Sequence, residues 1–325
     1  MNTALASLKI DQIKSIKWRE LIIQTLMPLI GLLCFLMIWH SVAPNIKTSL
    51  GDFPQPQQVF AQWGNLVDEY QSEKDREAQF YERQEKRNAD LLAKDPNAKL
   101  DERTFSGRPT FFEKIETSLV TVLSGFLVAT VIAIPVGIMI GLSQPLYTAI
   151  NPLIQIFKPV SPLAWLPLVT IVVSAVYVSD SPMFSKSYII SLLTVSLCSL
   201  WPTMINTAVG VAGVSKDLVN VSRVLRLGWF THVVKIVLPS AIPMMFTGLR
   251  ISLGIAWMVL IAAEMLSQNP GLGKFVWDEF QNGSSESLSR ICLAILVIGF
   301  IGFLLDRTIM MLQTYINWDK SAVVR

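Results

Sequence analysis

Charge is the first thing this sequence is short of. Only 16% of its 325 residues are Asp, Glu, Lys or Arg, while 52% are hydrophobic, a balance too apolar for an ordinary water-soluble domain. What charge there is clusters: 11 acidic and 9 basic residues lie between Asp68 and Arg108, and long stretches elsewhere hold almost none. The small net charge of +3 and the lack of any basic patch interleaved with aromatics argue against nucleic acid as a partner. Histidine is nearly missing, with His40 and His232 alone, and the cysteines are Cys34, Cys198 and Cys292, each inside an apolar run. No His-Glu-x-x-His and no Cys/His cluster is present, so neither a metal site nor a disulfide framework is expected. There is no phosphate-cradling Gly-x-x-x-x-Gly-Lys-Ser/Thr, and Gly271-Leu272-Gly273 reads as a turn rather than a dinucleotide fingerprint. The chain is therefore expected to be no enzyme, to hold no cofactor and to bind no ATP itself.

What is there in abundance is long apolar sequence. Residues 21–42, 119–142, 159–178, 188–209, 241–263 and 288–311 are each apolar enough to cross about 30 Å of hydrocarbon as a helix. The pattern predicts an all-α polytopic membrane protein with six transmembrane helices. Asp306 and Arg307 mark the end of the sixth run rather than its centre. Basic residues orient the set. Lys9, Lys14, Lys17 and Arg19 precede the first run, four more lie within 213–238, and the tail carries Lys320 and Arg325. The short segments 179–187 and 267–287 contain only Lys186 and Lys274. Both termini are expected in the cytoplasm. The first run is too long for a signal core and no small-x-small cleavage site follows it, so it is expected to be retained as a span.

Between the first two runs, residues 57–94 lack Pro and contain one Gly, with Glu82/Lys86 and Asp90/Lys94 at helical spacing. A helix there should end at Asp95-Pro96-Asn97. It reads as a solvated helical hairpin or spacer; a docking arm for an external protein is the functional reading. Pro135, Pro159, Pro162, Pro167 and Pro202 fall in or beside the spans, where each removes a backbone donor and can kink a helix. Gly137 and Gly141 form a small-xxx-small pair suited to close helix packing.

Charges within spans point to function. Arg250 lies about ten residues into the fifth run, Lys158 opens the third and Glu264 closes the fifth. A cation beside a pathway lowers the barrier for an anion leaving water. The plainer readings are a structural ion pair for Arg250 and snorkelling to headgroups for Lys158. Trp165 and Trp257 read as packing or gate aromatics.

The stretch at 213–243, GVSKDLVNVSRVLRLGWFTHVVKIVLPSAIP, organises the rest. Ser215 can cap a helix and Asp217 suits its positive end. Leu218, Val221 and Leu225 then form an apolar stripe, with Lys216, Asn220 and Arg223 on another face. Gly228 permits a break, and Pro239 and Pro243 mark entry to the next span. This has the form of a short amphipathic docking helix over 215–227.

The same stretch resembles the cytoplasmic loop of the membrane subunits of binding-protein-dependent ABC importers, whose signature runs Glu-Ala-Ala, then Gly, then Ile-x-Leu-Pro. Ile236, Leu238 and Pro239 match its end, whereas Asn220, Val221 and Ser222 stand at the triplet and Arg226 at the usual Gly. KPVSPLAWLPL at 158–168, FTGLRISLGIAW at 246–257 and AAEML at 262–266 are similar to the nitrate, sulfonate and bicarbonate branch, most of all its nitrate-type members. The resemblance covers roughly 113–315 and the first span, with the charged insert at 68–108 expected outside the shared part.

The resemblance implies a type I (MetI-like) importer membrane domain in the bacterial inner membrane, paired with a second copy. It implies two ATPase subunits that bind the ATP and receive the helix at 215–227, and a periplasmic substrate-binding protein. Leu218, Val221 and Leu225 would supply apolar contact to the ATPase, and Asn220, Ser222, Arg223 and Arg226 the polar contact. Arg250, Lys158, Trp165, Trp257 and Glu264 are the pathway candidates. The chain divides into 1–42, cytoplasmic N-terminus and first span; 43–112, periplasmic loop with the insert; 113–315, a five-helix permease core; and 316–325, a cytoplasmic tail. Nitrate or nitrite is the expected cargo, with bicarbonate, cyanate or sulfonates as the alternative. A secondary transporter driven by an ion gradient should carry carboxylates within its spans, and only Glu264 and Asp306 come near. A non-conducting membrane scaffold is the remaining rival.

Overall fold

A computed structural model describes residues 23, 25–48, 51–95, 100, 102–178, 183–284 and 286–316. The N-terminal basic cluster, part of the 179–187 segment, Pro96-Asn97 and the tail with Lys320 and Arg325 lie outside the described residues. The chain forms two compact units, one within Met1–Asn65 with Asn282–Leu293, the other within Leu66–Gln281 with Ala294–Arg325.

In the first unit, α1 (Thr25–Asn45) is an apolar helix that is almost wholly exposed, as a span facing lipid must be. A hairpin of two-residue strands, β1 (Lys47–Thr48) and β2 (Gly51–Asp52), follows it. Trp39 donates from Nε1 to the Pro54 carbonyl at 3.0 Å, tying the hairpin's exit back to α1.

Helix α2 (Pro56–Lys94) is the expected charged helix, ending at Lys94, just before Asp95. In the second unit its later turns are paired with the returning chain rather than left as a free rod. Gln84 donates to the Arg103 carbonyl at 3.1 Å, and the Arg108 N–H donates to Glu73 at 3.0 Å. Lys86 donates to Glu82 at 2.6 Å, which holds the Glu82 carboxyl below the usual carboxylate range.

Helix α3 (Phe111–Leu142) starts on a full capping box between Thr110 and Glu113. It packs with α6 (Lys186–Ala212) and α9 (Leu238–Ser267) into the centre of the second unit. Glycine allows the approach. A Cβ at Gly137 would lie 2.7 Å from the Met204 carbonyl oxygen, and one at Gly141 2.6 Å from that of Ala208. The buried face of α6 is rich in Ser and Thr, which can bond across helices where there is no water to do it. Ser196, for example, donates to the Gly125 carbonyl of α3 at 2.9 Å.

The third span departs from expectation. Residues 159–178 do not form one crossing helix: α4 (Gln144–Phe157) and α5 (Pro162–Val176) meet at 98°. The 15 residues of α5 reach only about 22 Å, short of a bilayer's hydrocarbon. Pro159 and Pro162 have no N–H to continue α4, and the Ser161 hydroxyl restarts the chain by capping α5 at the Leu163 N–H. The described residues thus hold five single helices long and apolar enough to cross, or six crossings if the bent pair counts as one.

The fifth span is longer than expected. From Trp229 to Ser267 the helix is continuous through α8 (Trp229–His232), a π-helical turn at Val233–Val237 and α9. Helix α10 (Leu272–Asn282) then occupies what sequence suggested was a short loop, and α11 (Ser287–Ile316) follows.

Candidate functional site

Helix α7 (Lys216–Val224) is the predicted docking helix, shorter at its end than the 215–227 expected. The Ser215 hydroxyl accepts from the Leu218 N–H at 3.4 Å, and Asp217 occupies the first turn. Its termination explains the departure at 226. The Leu227 N–H bonds the Ser222 carbonyl at 3.1 Å and the Arg226 N–H bonds that of Arg223 at 3.0 Å, the paired bonds of a Schellman stop. Such a stop needs one left-handed residue, and Arg226 supplies it with φ of 49°. Glycine takes that conformation without strain, whereas a residue with a Cβ pays about 1 kcal/mol or more. The change therefore alters backbone cost as well as side-chain size.

The apolar stripe on α7 has no cover. Leu218, Val221 and Leu225 are 41%, 49% and 62% exposed, and Val224, Trp229 and Phe230 more so. Asn220 and Arg223 are exposed beside it. Ser222 alone turns inward, its hydroxyl 2.8 Å from His232 Nδ1, which fixes α7 to α8.

Within the spans, Arg250 and Asp306 form a forked pair between α9 and α11, with Nη2 to Oδ2 at 2.9 Å. Each side chain keeps about a third of its surface exposed, 36% and 35%. Trp257, two turns further along α9, is buried and donates from Nε1 to the Ile298 carbonyl of α11 at 3.0 Å. Lys158 is exposed at the end of α4, at the bend before α5. Trp165, early in α5, stacks obliquely near Phe157, which in turn lies parallel to Trp201. Lys158 and Trp165 thus flank one bend, while Arg250 and Trp257 share the α9–α11 seam.

Glu264 is placed differently. It is fully buried, and its carboxylate accepts from Ser118 Oγ of α3 at 2.9 Å and from the Gly273 N–H at 2.9 Å. Ser118 Oγ also accepts from the Leu272 N–H at 2.9 Å, so the first donors of α10 end on this pair. Asn269 is buried alongside and bonds Thr121. The turn lies so close that a Cβ at Gly273 would overlap the Ile261 carbonyl oxygen. Glu264 is thus the bolt joining α3, α9 and α10. Sequence reading missed Ser118, and took Gly271-Leu272-Gly273 for a plain turn. The usable signal was a buried-span Glu followed seven and nine residues later by Gly.

Among the described residues no group of His, Cys, Asp or Glu has the arrangement of a metal site. The Arg250–Asp306 seam offers a cation for an anion's partner, and α7 offers an apolar surface for a protein.

Comparison with known proteins gives the chain a family. The profile described as "Binding-protein-dependent transport system inner membrane component" matches residues 133–317. The bicarbonate transport system permease protein CmpB of Synechococcus elongatus is 34% identical over 92% of this chain and 92% of its own. The nitrate import permease protein NrtB of Leptolyngbya laminosa is 37% identical over 65% of this chain and 70% of its own. A solved inward-facing MetNI methionine ABC transporter chain overlays at a TM-score of 0.49 and 16% identity, covering 61% of this chain and 95% of that one. With the family profile matching more than half its length, this chain belongs to the binding-protein-dependent transport system inner membrane components, the non-catalytic permease subunits of ABC importers.

Proposed function

We propose that this permease forms, with a second copy of itself, an inner-membrane pathway for a small inorganic anion, nitrate first among them. Relatives named for bicarbonate and for nitrate resemble it at similar identity, 34% and 37%. Nitrate is preferred on the 158–168, 246–257 and 262–266 segments; bicarbonate is the second reading, favoured by the longer alignment with CmpB. Cyanate and sulfonates fit the same chemistry. The anion arrives on a periplasmic binding protein, and ATP is bound and hydrolysed by separate ATPase subunits.

The observation that carries this reading is the uncovered stripe of α7. A short, firmly capped helix with Leu218, Val221 and Leu225 exposed suits a groove on an ATPase, where closure of two nucleotide-binding subunits would displace it. Asn220, Arg223 and Arg226 stand at the rim of that contact, and Ser222 holds the helix from behind. Because α7 sits between the end of α6 and the start of the long fifth span, its displacement moves both and rocks the pathway between two arrangements. The four-part division at 42, 112 and 315, with both termini in the cytoplasm, belongs to this same reading.

In the pathway, Arg250 supplies the cation and Asp306 holds it when no anion is present, while Trp257, the further candidate two turns along α9, packs the seam. Lys158 and Trp165 attend the bend between α4 and α5. Glu264 serves from behind, by fixing α10. The decisive experiment on the docking contact is Arg226→Glu in the reconstituted complex. It should cut uptake and binding-protein-stimulated ATP hydrolysis roughly tenfold at unchanged membrane abundance, the size expected for a charge reversal at an interface rim. Full coupled activity in that variant would remove α7 from the ATPase interface. Labelled-nitrate uptake competed with bicarbonate and taurine then separates the cargoes.

A further inference from the structure

Helix α6 contains Pro202, and beside it a hydroxyl from another helix bonds two backbone groups of α6. Ser252 of α9 donates from Oγ to the Ser199 carbonyl at 2.6 Å and accepts from the Thr203 N–H at 3.1 Å. Those two backbone groups are four residues apart, the pair that an uninterrupted α-helix closes on itself. Thr203 Oγ1 donates to the same hydroxyl at 2.8 Å. Ser199, Thr203 and Ser252 are at most 1% exposed, so water does not stand in for any of these bonds. One turn earlier, Gly248 makes the approach sterically feasible: a Cβ there would meet the Pro202 carbonyl oxygen at 2.9 Å and Thr203 Cα at 3.0 Å. Asn206 donates to that Pro202 carbonyl at 2.8 Å from the other side.

We propose that Ser252 is a positioning residue for transport: it fixes α6, one residue past Pro202, to α9, so that displacement of α7 reaches the pathway as one movement. This rests on the permease reading above. The chain order carries the mechanical step. Helix α6 ends at Ala212, α7 begins at Lys216, and the fifth span begins at Trp229, so a push on α7 enters the two helices that Ser252 staples together. Without the hydroxyl, these bonds from Ser199 and Thr203 to α9 are lost, and α6 changes its angle independently of α9.

The test is a double-mutant cycle on the full complex of permease, ATPases and binding protein in proteoliposomes, reading labelled-nitrate uptake per ATP hydrolysed. Ser252→Ala should lower that ratio about fivefold, the equivalent of one net buried hydrogen bond, while ATP hydrolysis continues. Thr203→Val alone, which removes the hydroxyl that donates to Ser252, should lower it less. The pair Ser252→Ala/Thr203→Val should lose no more than Ser252→Ala alone, because the two hydroxyls share one bond. Should Ser252→Ala fail to fold, Ser252→Thr and Gly248→Ala replace it: the first keeps the hydroxyl and the ratio, the second pushes the helices apart and lowers it. Additive losses in the cycle, or a fall in uptake and hydrolysis that merely follows abundance, would overturn the proposal. Wild-type complex without binding-protein-stimulated hydrolysis would instead refute the permease reading beneath it.

Discussion

Two carboxylates near the fifth span, Glu264 and Asp306, are handled in opposite ways. Glu264 has no exposed surface and is answered entirely by neutral donors, a serine hydroxyl and a backbone N–H at the start of α10. Asp306 keeps about a third of its side chain exposed and is answered by a full positive charge, Arg250. A buried carboxylate held by donors from two other helices cannot leave without stranding both, so it is suited to hold parts together. A half-exposed ion pair can open and admit a competitor, because solvent screens what is lost. The first arrangement is an anchor. On the proposed function, the second is the site where an anion takes the carboxylate's place on the arginine.

Breaking the anchor should have the largest effect. Glu264→Ala leaves Ser118 Oγ and the Gly273 N–H without an acceptor in a place water does not reach, at about 1–3 kcal/mol for each donor. The expected outcome is a steep loss of folded protein in the membrane and a lower melting temperature in detergent. If the variant accumulates and melts normally, the anchor assignment fails. Gly273→Ala attacks the same joint from the other side. Its new Cβ meets the Ile261 carbonyl, a backbone atom that cannot swing away, and a cost of about 1–3 kcal/mol is expected. Thermal melting of the purified chain measures it, and a neutral result would show that α10 sits more loosely than the geometry requires.

The mid-span pair should respond in transport rather than in folding. Arg250→Gln is expected to keep membrane abundance and to lower anion uptake about tenfold, the effect of removing one cation from a poorly hydrated path. The exchange Arg250→Asp with Asp306→Arg sharpens the point. It preserves an ion pair across α9 and α11 yet moves the cation, so a purely structural pair would tolerate it while a pathway cation would not. Normal uptake in the exchanged protein would return Arg250 to the structural role that sequence alone also allowed.

How much of this was legible depended on distance along the chain. The cap at Ser215, the apolar stripe on α7 and the helix ending at Lys94 involve neighbours within one or two turns, and the sequence announces them. The break at Pro159 and Pro162 was visible as proline, but hydropathy alone cannot tell a kinked crossing from two helices at 98°. The donors to Glu264 were hidden because Ser118 lies 146 residues away and looks like any serine in a span. Ser252 was hidden for the same reason, inside a segment that drew attention for Arg250. The meaning of Arg226 needed a backbone angle: only a φ of 49° shows why a glycine is usual there.

The smallest expected effect lies between the two carboxylates, at Trp257. Its indole bonds the Ile298 carbonyl, and its ring sits against Gly302, where a Cβ would come within 3.0 Å of Cδ1. Trp257→Phe removes that one hydrogen bond and part of the ring but leaves both charge sites intact. A loss of about 1 kcal/mol in stability is expected, read as a modest fall in melting temperature, with uptake unchanged. That outcome would mark the α9–α11 seam as packing apart from its ion pair. Uptake falling as far as in Arg250→Gln, at normal stability, would mean that the tryptophan shares the arginine's work, and that the pathway runs along the seam for at least two helical turns.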